Sequence, residues 1–344
     1  MKTLFVIGAG ASKEVKLPIG AELKKQIAAL LNLGKRGQAT GAQDTIRDVF
    51  NILAYHERTH DFNDLFRASL RICEAMPQAI SIDNFLDAHP NDKVIELCGK
   101  LAIVHAIISA ESHSSMFLNT RDPKLKFEQL EGTWFTGFMQ LIVEGCRVSD
   151  LEQRLSSIIL VIFNYDRCVE HYIYHALQNY YDLNDSDAAK YLKFIKIYHP
   201  YGTVGSLPCL AMEGAIEFGA KLNPTKLIAL ANQIKTFTES TDKTSSDISA
   251  IHSHVYSADR LVFLGFAFHH MNMELLLSKG LSSEPGTNRQ IFATTLGLSK
   301  SDVAMISAEL AVNGGFHPSN IHFQNNTCTQ LFQEYHRSLS LRTP

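Results

Sequence analysis

Leu4-Phe5-Val6-Ile7-Gly8-Ala9-Gly10-Ala11-Ser12 is the stretch on which the fold turns. Four consecutive apolar residues closed by glycine do not alternate, so both faces of the segment must be covered. That pattern fits a parallel strand buried between helix layers. Pro18 then stands near the start of a helix carrying Ile19, Leu23, Ile27 and Leu30 on one face. Proline is tolerated in a first turn, where its missing N–H has no partner to lose.

The same kind of run recurs downstream. Ile158–Phe163 ends at Asn164-Tyr165-Asp166, and Phe194–Tyr198 ends at His199-Pro200-Tyr201-Gly202. Leu261–Leu264 ends at Gly265, Gln290–Ala293 at Thr294-Thr295, and Ile321–Phe323 reads as a last short strand. Helical patterns lie between them, among them Val169, Ile173, Ala176, Leu177 and Tyr180. Strands alternating with helices predict an α/β protein with a parallel, doubly wound, Rossmann-like sheet.

Residues 35–150 interrupt that alternation. They offer helical stripes, Ile46/Val49/Phe50/Leu53, Phe62/Leu65/Phe66/Leu70 and Val94/Leu97/Leu101/Val104/Ile108, and no convincing strand. The expectation is a large all-helical insertion or cap after the first strand–helix unit, entered through a linker at Gly34–Gly41. Residues 1–34 and 151–344 then form the nucleotide-binding domain. Thr236–Ser249, rich in Ser, Thr, Asp and Lys, reads as a mobile surface loop.

Composition narrows the function. With 45% hydrophobic and 19% charged residues, the chain is not disordered in the main. Its 32 Lys+Arg against 35 Asp+Glu give a formal net charge of −3, without the basic excess of a general nucleic-acid binder. Met1–Glu14 has too short an apolar run for a secretory leader. No stretch reaches the ~18 apolar residues of a membrane span. The six cysteines, Cys73, Cys98, Cys146, Cys168, Cys209 and Cys328, form no C-x-x-C pair, as expected of reduced thiols in a cytoplasmic protein. His269-His270 and His252-x-His254 lack carboxylate or cysteine companions at ligand spacing, so no metal is expected.

In an open parallel sheet the ligand sits outside the carboxyl ends of the strands. Here those ends carry Gly8, Ala9, Gly10 and Ser12, then Asn164 and Asp166, then His199, and Gly265. Glycines let backbone N–H groups approach a pyrophosphate, and the following helix presents its positive end. A hydride-transfer dehydrogenase is a poor match. Lys13 stands where a third glycine belongs, and no strand with a terminal acid follows within about 20 residues. Asp166 has a second reading as the cap of the helix that follows.

V-I-G-A-G-A-S, F-N-Y-D, Y-H-P-Y-G and L-G-F-A-F-H-H-M-N, in this order, resemble a bacterial sirtuin-like domain. The pattern is most similar to the NAD-hydrolysing effectors of antiphage defence, the Thoeris type among them, and spans residues 1–30, 155–205 and 258–300. It departs from the sirtuin deacylases, whose four-cysteine zinc module and G-I-P-x-F-R segment are missing. Phe163 stands where those enzymes carry glutamine, and Pro200 separates His199 from glycine.

The resemblance implies cleavage of NAD, as substrate and with no prosthetic cofactor, into nicotinamide and ADP-ribose. Asn164 and His199 are then the catalytic pair, with Asp166 on a ribose hydroxyl or orienting a neighbour. His199, with an ordinary pKa of about 6.5, is the proton acceptor. Gly8, Ala9, Gly10 and Ser12 approach the pyrophosphate, Asp83 the nicotinamide pocket, and Gly265 and Asn272 the adenosine end. Asp83 can equally cap its own short helix. A regulating protein partner of helicase-like, Argonaute-like or sensor type, a homo-oligomer and a cytoplasmic location are implied as well. The rivals are a non-catalytic NAD or ADP-ribose sensor and, further off, a zinc-free deacylase.

Overall fold

The computed structural model describes residues 1–34, 41–119, 121, 123–210, 214–240, 246–277 and 289–342. Apart from its two end glycines, the expected Gly34–Gly41 linker lies outside them. Six strands form one sheet: β1 Thr3–Ile7, β2 Ile158–Ile162, β3 Lys196–Tyr198, β4 Arg260–Leu264, β5 Gln290–Thr294 and β6 Ile321–Gln324. The order is β3-β2-β1-β4-β5-β6, and every neighbouring pair is parallel. The chain is therefore an α/β protein with an all-parallel sheet, and each apolar run read as a strand is one.

The reason for those runs is visible in their alternation. Leu4, Val6, Ile159, Val161, Leu261 and Phe263 enter the core on one face. Phe5, Ile7, Leu160, Ile162, Val262 and Leu264 enter a second core on the other. With helices on both faces, neither side of a strand can be polar.

Between the Gly20–Leu31 helix and β2 the described residues form helices and no strand. The Phe62–Ala75 and Lys93–Glu111 helices share their core with the Leu4/Val6 face. The Trp134–Val143 helix covers the opposite face together with Cys168–Tyr181 and Cys328–Leu339. Trp134 is 1% exposed, and its indole N–H donates to Ala11 O at 2.9 Å, tying that helix to the first strand's exit. Among the described residues no helix is long and apolar enough to cross a membrane.

The segment expected as a mobile loop, Thr236–Ser249, is not one where it is described. Phe237–Ser240 and Ser246–Ser257 are helices, and 241–245 lie outside the described residues. Two interactions override the polar composition. Ile251 and Val255 are buried one turn apart on the second helix. Glu239 meets the Lys100 ammonium at 2.8 Å, adding a second carboxylate to a buried cation already paired with Glu96 at 2.7 Å.

Candidate functional site

The register brings the strand ends level. Ile7 pairs with Ile162 on one side and Leu264 on the other, and Val161 with Tyr198. Gly8, Phe163-Asn164, His199 and Gly265 therefore leave the sheet at one edge. The strand order changes direction between β1 and β4, which is the switch point where such sheets hold ligands.

That switch point is closed by backbone. Gly8 N–H donates to Leu264 O, and Gly10 N–H to Gly265 O, both at 2.9 Å. A Cβ on Gly8 would stand 2.6 Å from Gly265 O, and one on Gly265 would stand 2.1 Å from Ala11 N. Gly265 also has φ +55°, a conformation that side-chain-bearing residues avoid. The glycines are thus needed for the approach of two chain segments. Nor does the turn lead into a long helix. It forms the single turn Ala9–Ser12 and a 3₁₀ turn, Lys13–Val15, and the long helix begins only at Gly20. One turn carries little of the dipole that a full helix would aim at a phosphate.

Beyond the turn, Phe163, Asn164, Tyr165 and Asp166 divide by side. Asn164 is buried, and its Nδ2 donates to Gly8 O at 3.1 Å and Ser12 Oγ at 2.9 Å. Its Oδ1 is buried and has no partner among the described residues. Asp166 Oδ1 accepts from Cys168 N–H at 3.1 Å, but the N-cap of that helix is Arg167, so Asp166 stands one residue ahead of the cap position. Burial raises its carboxyl pKa, and the Cys168 N–H opposes that.

His199 joins the same cluster. Its Nε2 lies 2.6 Å from Glu170 Oε1, and its Nδ1 3.4 Å from Asn164 O. Burial pulls the imidazole pKa down, but the charge and hydrogen bond of Glu170 outweigh it, and the net shift is upward. Glu170 is lowered despite its burial, because His199 stands against it.

Asp83 and Asn272 connect elsewhere. Asp83 accepts from the Tyr165 hydroxyl, and Asn272 Oδ1 from the Tyr201 hydroxyl at 2.8 Å. The two tyrosine rings, 6.3 Å apart, belong to an aromatic layer with Phe163 and Phe266. Asp83 does not cap its helix; Ser81 does, accepting from Asn84 N–H at 3.0 Å. Burial raises the Asp83 carboxyl, with the Tyr165 hydrogen bond opposing.

The structure thus brings Ser12, Asn164, Asp166 and His199 around the Gly8–Gly10 turn and Gly265. Asp83 and Asn272 reach that edge through tyrosines. Two residues escaped the sequence reading. Glu170 stands on the Cys168–Tyr181 helix four residues after Asp166, a buried acid among apolar neighbours. Arg167, 1% exposed, forms a two-point pair with fully buried Glu111 and donates to Ile216 O at 2.7 Å. The only signal for either was a charge inside an apolar pattern, which asks for a partner.

Two clefts are lined by other residues. One of ≈ 590 Å³ is lined by Lys16, His105 and His113, and one of ≈ 970 Å³ by His171, Tyr174 and Cys209, among others. None of the residues expected at the site lines either. Among the described residues no three His, Cys, Asp or Glu side chains gather as a metal-ligand group. No protein-family model matches the chain, and no curated protein matches it.

Proposed function

We propose that the chain is a hydrolase that cleaves NAD to nicotinamide and ADP-ribose, acting as a regulated effector of the antiphage-defence type its motifs resemble. The observation that carries this reading is Asn164. Its amide nitrogen is anchored by Gly8 O and Ser12 Oγ, so its unpartnered oxygen is held in one direction. A ribose hydroxyl or the attacking water would supply the missing donor.

The surroundings suit the chemistry. Nicotinamide leaves as a neutral molecule, and positive charge builds on the ribose as in glycoside cleavage. Asp166 places a carboxyl group beside the cluster to meet that charge. In this reading, residues 1–34 and 151–344 are the Rossmann-like NAD-binding unit, and 35–150 the helical cap. A regulating partner and self-association belong to the same proposal, as does a cytoplasmic site of action.

A second reading draws on a different observation. The switch point is filled by the contact of Gly8 and Gly10 with Gly265, which suits a sensor that opens to bind nucleotide without turning it over. One experiment separates the two. Purified protein is mixed with NAD, nicotinamide release is followed by chromatography, and binding by calorimetry, for wild type and Asn164→Ala. Release by wild type that Asn164→Ala abolishes is the expected result. Binding without release by either protein selects the sensor, and neither binding nor release removes both readings.

A further inference from the structure

We infer that Glu170 is the positioning residue of His199, fixing it at the end of β3 as an imidazolium that donates from both ring nitrogens. The argument is one of hydrogen-bond roles. A carboxylate oxygen and a peptide carbonyl oxygen are acceptors only. His199 directs Nε2 at Glu170 Oε1, 2.6 Å away, and Nδ1 at Asn164 O, 3.4 Å away. A neutral imidazole carries one N–H, so its second nitrogen would face an oxygen lone pair to lone pair. With Glu170 ionised, the form its lowered pKa favours, only the cation satisfies both contacts.

Burial makes the choice consequential. The side chains are 13% and 6% exposed, leaving little water to relieve a mismatched pair. Glu170 Oε2 is buried and has no partner among the described residues, so nothing there competes with His199 for the carboxylate. The remaining charged neighbours act in the same sense. Asp166, from the end of β2, adds negative charge near His199. Arg167, from the head of the Cys168–Tyr181 helix, favours the ionised form of Glu170. The Cys209 thiol, from the segment after β3, lies in the field of the same carboxylate.

This revises the part read for His199 from sequence. An imidazolium has no lone pair, so in this arrangement the residue is a donor and a fixed positive charge. For NAD cleavage, the reading on which this step rests, it takes a proton only after losing one. The acid limb of turnover then follows the titration of His199, and Glu170 sets where that limb lies.

The test reads the histidine directly, without substrate. Protein labelled at the histidine Cε1 positions is titrated by NMR, and the His199 resonance is assigned by its loss in His199→Gln. The expected midpoint lies above the ordinary 6.5 in wild type and shifts downward in Glu170→Gln. A wild-type midpoint at or below that value, or one that Glu170→Gln leaves in place, overturns the inference whether or not NAD is cleaved. If Glu170→Gln does not fold, the wild-type midpoint decides alone. A raised midpoint in a protein that releases no nicotinamide upholds the pairing and removes the hydrolase reading instead.

Discussion

Replacing Glu111 by Ala should destabilise this protein by about 3–5 kcal/mol, although Glu111 belongs to none of the sequence motifs. Glu111 ends the Lys93–Glu111 helix, with no exposed surface. Its two oxygens accept from Arg167 Nε at 3.1 Å and Nη2 at 2.5 Å, and Oε2 also accepts from Gly219 N–H at 3.0 Å. Hydrogen bonds to charged groups contribute about 1.5–3 kcal/mol each, so the two guanidinium contacts alone reach the lower figure. An orphaned Gly219 N–H and an uncompensated buried cation raise it. Three carbonyls, those of Gly205, Ile216 and Glu217, still accept from Arg167 and limit the loss.

The assay is urea unfolding followed by the fluorescence of Trp134, the single tryptophan, which is buried against the Ala9–Ser12 turn. Glu111→Ala combined with Arg167→Met supplies the control, since removing both charges together leaves no unpaired ion. The double variant should recover a large part of the single variant's loss. A single-variant loss below about 1 kcal/mol, the scale of an exposed ion pair, would refute the argument. So would a double variant no better than the sum of its parts.

Two further outcomes follow from the same geometry. Gly265→Ala should destabilise well beyond Gly297→Ala. Both have positive φ, +55° and +84°, but a Cβ at Gly297 meets nothing within 4 Å among the described residues, whereas at Gly265 it collides with Ala11 N. The conformational part alone is about 1–2 kcal/mol, and equal midpoints of thermal unfolding would show that the contact with the glycine turn yields freely. The second concerns pH. The raised His199 pKa contributes stability that is full below 6.5 and lost as pH climbs through the folded value. The lowered Glu170 pKa contributes stability present above 4.5 and lost as pH falls through its folded value. The stability difference between wild type and Glu170→Gln, measured by urea unfolding across pH, should therefore peak between those two values and shrink on either side. A difference that is flat with pH would contradict the ion pair.

The elements of this protein were legible in its sequence, and the partners of its side chains were not. Leu4–Ile7, Ile158–Ile162 and Leu261–Leu264 announce themselves as buried strands because apolar residues without alternation have no other stable setting. The clustering of Gly8, Asn164, His199 and Gly265 at one edge follows as soon as those strands run parallel, since each stands within two residues of its strand's end. Thr236–Ser249 reads as a loop because a local count of polar residues does not register Ile251, Val255 or the ion pair of Glu239 with Lys100. Asp83 shows the same limit: its neighbour Ser81 took the cap, and Tyr165, 82 residues away in sequence, took the carboxylate.

What only the tertiary structure decided is the state of the site. Residue type and position put His199 at a strand end, but its charge depends on Glu170, 29 residues earlier on a helix whose rotation is set by packing against the sheet. Asn164 was marked by its place in N-Y-D. That one amide atom is anchored while the other is left unpaired required β1 and β2 to lie side by side. Periodicity along a chain determines which faces must be buried. Hydrogen-bond satisfaction and charge compensation are settled between segments far apart in sequence, and so become definite only when the chain has closed on itself.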